Sequence, residues 1–290
     1  MATAIESPNG NREGAGTREA LYDWVADWGA AVTDAISALG DLVVFSSRTM
    51  SWLLTRLPRR GTILPNFYQV GVLSLPVVAL TGTFIGMVLA VQSYSQFRML
   101  SLETRLGAVI NMSLVRELGP VLAATMLAGR VGSAMAAELG TMRVTEQIDA
   151  LASMGANPLH YLVVPRFLAC MFLIPTLTVM ADFMGVVGGY FYAVGILGID
   201  KQHYWQNSQD FVGMFDVMSG IFKSIFFGAA IAIISCYRGF NCAPGAEGVG
   251  RAATASFVFS FVGILVLDLF LGIFLDSLHN SFWPEGTKLF

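Results

Sequence analysis

The stretch Met112-Ser-Leu-Val-Arg-Glu-Leu-Gly-Pro120 places two charged residues, Arg116 and Glu117, inside an apolar run that extends from Leu106 to Ala137. A charge in the hydrocarbon core of a bilayer is costly, so it usually faces a polar cavity or a partner of opposite charge. Neighbouring residues on an α-helix point about 100° apart, so these two side chains need separate partners. Lys223, which interrupts a second apolar stretch, is one candidate. The alternative is that the charges only hold helices together.

Composition indicates an integral membrane protein. Of the 290 residues, 55% are hydrophobic and 13% are charged, whereas a typical soluble domain has about 25% charged residues. The net charge of −3 and the lack of a basic cluster argue against a nucleic-acid partner. We predict an all-α fold in which five apolar stretches cross the membrane: residues 69–96, 106–135, 161–197, 215–237 and 253–278. The third stretch is long for one span, but we expect a single helix.

Residues 1–44 are predicted to form a polar and amphipathic N-terminal extension. Apolar side chains recur there at three- and four-residue steps, which is typical of an amphipathic helix: Leu21, Trp24, Val25, Trp28, Val32, Ile36, Leu39 and Val43. Residues 45–57 mix apolar and basic side chains, which indicates a helix lying in the membrane interface. Basic residues near the span ends number nine on the N-terminal side and four on the other. The positive-inside rule therefore predicts a cytoplasmic N-terminus and an extracytoplasmic C-terminus.

Residues 138–155, between the second and third predicted spans, are polar and patterned. Thr145 is expected to cap a helix whose first turn carries Glu146 and Asp149, as helix N-termini favour acidic side chains. Ile148 belongs to an apolar side of the same helix. A short amphipathic helix on a cytoplasmic loop is what a membrane subunit presents to a soluble motor, and an ordinary solvated surface helix is the alternative.

The sequence contains no recognisable catalytic or metal-binding motif. The stretch from Gly245 to Ala252 resembles a phosphate-binding loop only superficially, because Arg251 and Ala252 replace the lysine and the Ser/Thr that such a loop requires. We therefore predict no catalytic residue, no metal and no cofactor in this chain, which is not expected to be an enzyme. A secondary transporter or channel is the alternative, and it would use three intramembrane residues: Glu117, Lys223 and Asp182.

Five motifs in order resemble the MlaE/YrbE family: Phe84-Ile-Gly-Met-Val-Leu89, Leu114-Val-Arg-Glu-Leu-Gly-Pro120, Ala128-Gly-Arg-Val-Gly-Ser133, Ala137-Glu-Leu-Gly-Thr-Met-Arg143 and Thr145-Glu-Gln-Ile-Asp-Ala150. Members of that family are permease subunits of ABC transporters that work with MCE-domain proteins to move lipids across bacterial envelopes. The resemblance covers about residues 45–280, so residues 45–290 are assigned to an MlaE-type permease domain. Residues 1–44 form a longer extension than short family members carry.

The resemblance implies a transporter of several subunits in the bacterial inner membrane. Its parts are a permease homodimer, two cytoplasmic ATPases that bind ATP and Mg²⁺, a hexameric MCE ring outside, and membrane lipids as cargo. The intact Arg-Glu-Leu-Gly-Pro motif and Lys223 resemble the phospholipid-type members. By position, the likeness assigns five residues to the lipid path: Arg116, Glu117, Lys223, Val91 and Tyr94. It assigns the loop after the second span to coupling with the ATPase, through Glu138, Arg143, Glu146, Gln147 and Asp149.

Overall fold

The computed structural model describes residues 12–55, 60–100, 102 and 105–282, and within them every regular element is a helix. This confirms the predicted all-α fold. The helices are α1 (Arg12–Thr55), α2 (Arg60–Val70), α3 (Leu75–Met99), α4 (Leu106–Val144), α5 (Gln147–Ser153), α6 (Leu159–Gly195), α7 (Lys201–Phe211), α8 (Met214–Phe240) and α9 (Ala246–Phe282).

Among the described residues, six helical segments are long and apolar enough to cross a membrane, judged by length and composition. Five of them overlap the five stretches predicted to cross the membrane, mostly within α3, α4, α6, α8 and α9, although the third ends at Gly195 and not at residue 197. The long third span is a single helix, as expected, and it accommodates Pro175 without ending. The additional candidate is Asp27–Thr55, which belongs to α1.

The chain divides into two compact units, one ending at Ser47 and the other beginning at Arg48. The predicted pair of separate helices, up to residue 44 and over residues 45–57, is not what the structure shows, because one helix, α1, covers both stretches. No glycine or proline interrupts residues 41–55, so nothing in the sequence ends the first helix where the charge pattern changes. Residues 1–11, 56 and 57 of these predicted segments lie outside the described residues.

The second unit contains a close contact between α3 and α6. Gly82 and Gly86 of α3 lie against Ala181 and Gly185 of α6, and a Cβ atom on Gly86 would lie 2.7 Å from the Gly185 carbonyl carbon. Small residues let helix backbones approach in lipid, where packing rather than the hydrophobic effect drives helix association. Glycine is therefore required at Gly86 by the neighbouring backbone.

Helix α4 departs from regular α-helical geometry twice, in π-helical turns at Leu114–Leu118 and Ala128–Gly132. Such turns occur frequently at functional sites. Pro120, which follows the first turn, has no N–H to donate to a carbonyl one turn earlier, which gives a local reason for the irregular bonding. The first turn carries the charged pair identified in the sequence, and the second carries Arg130.

Buried hydroxyl groups join three helices of the second unit. Ser256 Oγ of α9 lies 2.8 Å from Ser235 Oγ of α8 and 3.3 Å from the carbonyl oxygen of Gly132 in α4. The hydroxyl thereby reaches the backbone of the second π-helical turn. Hydrogen bonds of this kind help to hold helices together in a bilayer.

Gly86→Ala should destabilise the packing of α3 on α6. Overpacking typically costs about 1–3 kcal/mol, and here the obstructing atoms are backbone atoms that cannot rotate away. The measurement is the thermal aggregation midpoint of the detergent-purified chain, which should fall. Gly195→Ala is the matched control, because a Cβ atom added there would meet no other atom within 4 Å, and its midpoint should be unchanged or higher. Equal midpoints for the two variants would contradict the packing argument.

Candidate functional site

Lys223 on α8 is the centre of a charged cluster. Its side chain is 2% exposed, and Nζ donates a hydrogen bond to Glu117 Oε2 of α4 at 2.7 Å. The same Nζ lies 3.1 Å from Asp268 Oδ1 of α9, as an ion pair without hydrogen-bond geometry. The structure thus brings together the two residues that the sequence suggested as partners and adds a third. Because an unpaired buried charge is strongly destabilising, this lysine requires at least one of its carboxylates.

Arg116 has different partners from its neighbour Glu117. Its guanidinium forms an ion pair with Asp276 of α9, and Nη1 lies 3.8 Å from Asp216 Oδ1 of α8. Asp216 also accepts a hydrogen bond at 3.0 Å from the backbone N–H of Gly213, which closes the first turn of α8. The divergence of the two neighbouring charges agrees with their angular separation on a helix.

Two cations and four carboxylates therefore meet where α4, α8 and α9 converge. The cluster is not sealed, because the Glu117 side chain is 45% exposed. A narrow cleft without room for a water molecule runs between the charges, and its remaining lining residues are Phe215, Ser219, Gly272 and Leu275. Ionisable groups in membrane helices that are paired on one side and accessible on the other are typical of a substrate path.

Asp268 and Asp276 were not predicted as site residues, although the sequence contains a signal for them. They interrupt a very apolar helix four residues to either side of Gly272, and residues four apart lie on the same helix face. A Cβ on that glycine would lie 3.6 Å from Lys223 Nζ. The two aspartates therefore mark the face of α9 that turns toward α8.

Val91 and Tyr94, the other residues predicted to line a lipid path, lie near the C-terminal end of α3. Neither lines the cleft around Lys223. The Val91 side chain is exposed, and the Arg98 guanidinium lies 5.9 Å from the centre of the Tyr94 ring. The role of these two residues in a lipid path stays a prediction.

The loop predicted to carry one coupling helix over residues 138–155 is built differently. Helix α4 continues to Val144, and only Gln147–Ser153 forms the short helix α5. Thr145 does not cap α5, because its hydroxyl donates 2.8 Å back to a carbonyl of α4, a bond that serine and threonine often make within their own helix. Glu146 precedes α5 with φ of 59°, a left-handed conformation that is uncommon for residues other than glycine.

Three of the five predicted coupling residues form ion pairs within the chain. Arg143 Nη1 lies 2.7 Å from Asp149 Oδ1, which connects the end of α4 to α5. Glu138 Oε2 lies 3.0 Å from Arg166 Nη2, which connects α4 to α6. The other two are exposed residues at the start of α5: Glu146 and Gln147. Their contact with an ATPase stays a prediction.

The region between α6 and α8 contains a helix, α7, that was not predicted. Tyr204 of α7 is fully buried, and its hydroxyl donates a 3.4 Å hydrogen bond to Asn111 Oδ1 of α4. Burial raises the pKa of the Tyr204 phenol to about 12, against the opposing effect of the hydrogen bond with Asn111. Asn111 Nδ2 also donates to Ser208 Oγ of α7 at 2.9 Å. Helix α7 is thus fixed to the N-terminal end of α4.

This fold defines a multi-pass membrane protein, and the comparisons place it in a family. The family model described as permease MlaE matches residues 63–274. A probable ABC transporter permease protein of Rickettsia felis is 43% identical over 229 residues, which cover 79% of this chain and 88% of the relative. The intermembrane phospholipid transport system permease protein MlaE of Haemophilus influenzae is 38% identical over 210 residues, which cover 72% of this chain and 80% of the relative.

A plant protein shows a similar likeness. The chloroplastic protein TRIGALACTOSYLDIACYLGLYCEROL 1 of Arabidopsis thaliana is 38% identical over 222 residues, which cover 75% of this chain and 63% of the relative. The chain belongs to the MlaE permease family, as its motifs indicated. It is accordingly an ABC transporter permease and not an enzyme.

The charged cluster gives an asymmetric prediction for stability. The double variant Glu117→Gln with Asp268→Asn leaves the buried Lys223 ammonium without a carboxylate, so we expect it to lose about 3–5 kcal/mol. Lys223→Met should lower the stability less than the double variant does, because the two carboxylates left without a cation are more exposed than the lysine. Adding Lys223→Met to the double variant should restore most of the stability.

Thermal aggregation midpoints of the purified variants check this order. The control is Arg251→Gln, which removes a cation from an exposed pair with Glu247 and should change stability within about 0.5 kcal/mol. A double variant as stable as the wild type would show that Lys223 is not held by these two carboxylates.

Proposed function

We propose that this chain is the permease of an ABC transporter that moves phospholipids between the bacterial inner membrane and an MCE-domain partner. The observation that carries this proposal is the cluster around Lys223, where a buried ammonium meets two carboxylates that are partly exposed at the protein surface. The name of the Haemophilus influenzae relative, a phospholipid transport permease, supports the choice of cargo.

A phospholipid headgroup carries a phosphate and often an ammonium group, so it needs counter-charges of both signs while it leaves water. The cluster offers both, because Arg116 and Glu117 are each partly accessible. Existing ion pairs can exchange one partner for a headgroup atom without leaving a bare charge in a low-dielectric region. Helix α9, whose outward-facing side chains are mostly apolar and exposed, supplies a surface for acyl chains.

The transporter is proposed to contain two copies of this chain, two cytoplasmic ATPases and an MCE-domain ring. ATP and Mg²⁺ are bound by the ATPase partner and not by this chain. The contact with the ATPase is assigned to the start of α5, because Glu146 and Gln147 are exposed there. The pair of Arg143 with Asp149 has a positioning role in this scheme, since it holds α5 against α4.

A charge-free cluster tests the lipid path directly. The triple variant Glu117→Gln, Lys223→Met and Asp268→Asn should assemble with its partners, because no unpaired buried charge remains among these three residues. We expect its lipid transport to fall about tenfold or more, since hydrogen bonds to charged groups contribute roughly 1.5–3 kcal/mol each. Transport is measured in reconstituted vesicles with a fluorescent phospholipid. Full transport by the assembled triple variant would show that the cluster only holds the helices together.

The proposed topology has a cytoplasmic N-terminus and an extracytoplasmic C-terminus. A reporter fused after Phe290 should therefore read as extracytoplasmic, and reporters at the N-terminus and near Glu247 should read as cytoplasmic, following the excess of basic residues. An N-terminal reporter outside would mean that Asp27–Thr55 crosses the membrane. A cytoplasmic C-terminus would contradict the five-span arrangement of the permease domain.

The proposed coupling contact predicts different effects for a residue that contacts the ATPase and for a pair that only positions α5. Glu146→Lys should lower lipid-dependent ATP hydrolysis about tenfold, equivalent to 1.4 kcal/mol, while folding is unchanged because the site is exposed. The charge swap Arg143→Asp with Asp149→Arg should retain hydrolysis, because it re-forms the local ion pair. ATP hydrolysis by the assembled complex is the readout. Normal hydrolysis in Glu146→Lys would remove this residue from the ATPase contact.

A further inference from the structure

Arg130 differs from three other cations of the long helices. Arg116, Lys223 and Arg166 each lie within ion-pairing distance of a carboxylate. Arg130 is only partly exposed, and its guanidinium donates to Ser74 Oγ. Across the part of the chain that the structure describes, no carboxylate lies within 4.0 Å of Arg130. A half-buried guanidinium with five donors and one neutral acceptor favours an anion nearby.

The Arg130 side chain lines a small cavity between α2 and α4. Its volume is about 130 Å³, and the residues that line it include Asn66 and Gln69 but no acidic residue. Asn66 Nδ2 donates to the carbonyl oxygen of Thr62 at 2.8 Å, which fixes the orientation of that amide. A guanidinium with neighbouring amide groups is a donor set suited to an oxyanion, and arginine binds phosphate oxygens in a bidentate manner.

The surface around this cavity is apolar and exposed. Leu73, which lines the cavity, is 45% exposed, and Leu64 on α2 is 68% exposed. Tyr68 and Val72 are also exposed at this junction. Exposed apolar side chains on a membrane-spanning chain suit contact with lipid, which favours a lipid headgroup as the occupant of the cavity. This surface does not favour a charged segment of a soluble partner as the occupant.

We infer that Arg130, Asn66 and Gln69 form a binding site for a phosphate oxyanion. A water molecule takes up about 30 Å³ of the liquid, so the cavity has room for a phosphate group but not for acyl chains. Arg130 follows Arg116 by about 20 Å along α4, at 1.5 Å per residue, so this site is separate from the Lys223 cluster. The second π-helical turn places the guanidinium at the cavity.

Two sources can supply the phosphate group: the headgroup of a membrane phospholipid, or inorganic phosphate from the cytoplasm. The assembled complex is therefore tested in two arms. In the first, it is placed in phosphatidylglycerol nanodiscs, and phospholipids retained per permease are counted by native mass spectrometry. In the second, it is kept in detergent, and the thermal midpoint is followed as inorganic phosphate is added. Nanodiscs of a phosphate-free galactolipid control for lipid binding that does not involve phosphate.

The variants are Arg130→Gln, Arg130→Lys and the pair Asn66→Leu with Gln69→Leu, and the control is Arg251→Gln. We expect wild type and control to retain a phospholipid. In Arg130→Gln the affinity for that phospholipid should fall about tenfold, as expected for the loss of charged hydrogen bonds. Arg130→Lys should retain part of it. The Asn66/Gln69 pair should also reduce occupancy, which keeps the test valid if Arg130→Gln fails to fold. A phosphate-dependent midpoint rise without lipid retention would identify inorganic phosphate as the ligand.

Equal lipid retention and equal phosphate response in wild type and Arg130→Gln would overturn the inference. The inference would also be overturned if Arg130→Gln retained the phospholipid but no longer bound the ATPase. That result would mean that Arg130 pairs with a carboxylate of the ATPase. The site binds phosphate whether or not the chain transports lipid. Failure of the site and failure of the proposed transport are therefore separate results.

Discussion

The buried ammonium of Lys223 is the constraint on which the arrangement of the helices depends. A cation that is 2% exposed inside a membrane protein requires carboxylates within ion-pairing distance. These come from α4 and α9, so both helices must lie beside α8 at the depth of the lysine. Glycines make that approach possible, since a Cβ on Gly220 of α8 would lie 2.5 Å from the Val115 carbonyl oxygen of α4. Charge pairing and close backbone packing thus stabilise the same helix contacts.

The irregular geometry of α4 connects this cluster to α6. The first π-helical turn ends at Leu118, and a Cβ on the next residue, Gly119, would overlap the carboxyl oxygen of Asp182 on α6. The glycine of the Arg-Glu-Leu-Gly-Pro motif therefore makes room for an acidic side chain of a neighbouring helix. The same short motif supplies two charges, a close contact and a proline. This combination explains in physical terms why the motif was informative in the sequence.

Much of the fold could be predicted from the sequence because a bilayer imposes strong rules on span length and charge. Those rules located five long apolar helices and suggested Lys223 as a partner of Glu117. They did not locate α7, because an amphipathic helix of eleven residues held by Tyr204 and Asn111 carries no membrane signal. The capping preference that placed Thr145 at the start of the next helix was also wrong, because its hydroxyl bonds to its own helix. Local polar contacts of this kind depend on tertiary geometry.

The central claim is that the cleft beside Lys223 borders a lipid path. The most direct measurement is photo-crosslinking of phospholipid to p-benzoyl-phenylalanine introduced at Phe215, which lines the cleft, in the assembled transporter. The same probe at Phe172, an exposed residue of α6, reports contact with bulk lipid. The account predicts lipid labelling at position 215 that changes when ATP is added, while labelling at position 172 stays constant. Labelling at position 215 that is absent, or that is unaffected by ATP, would contradict it.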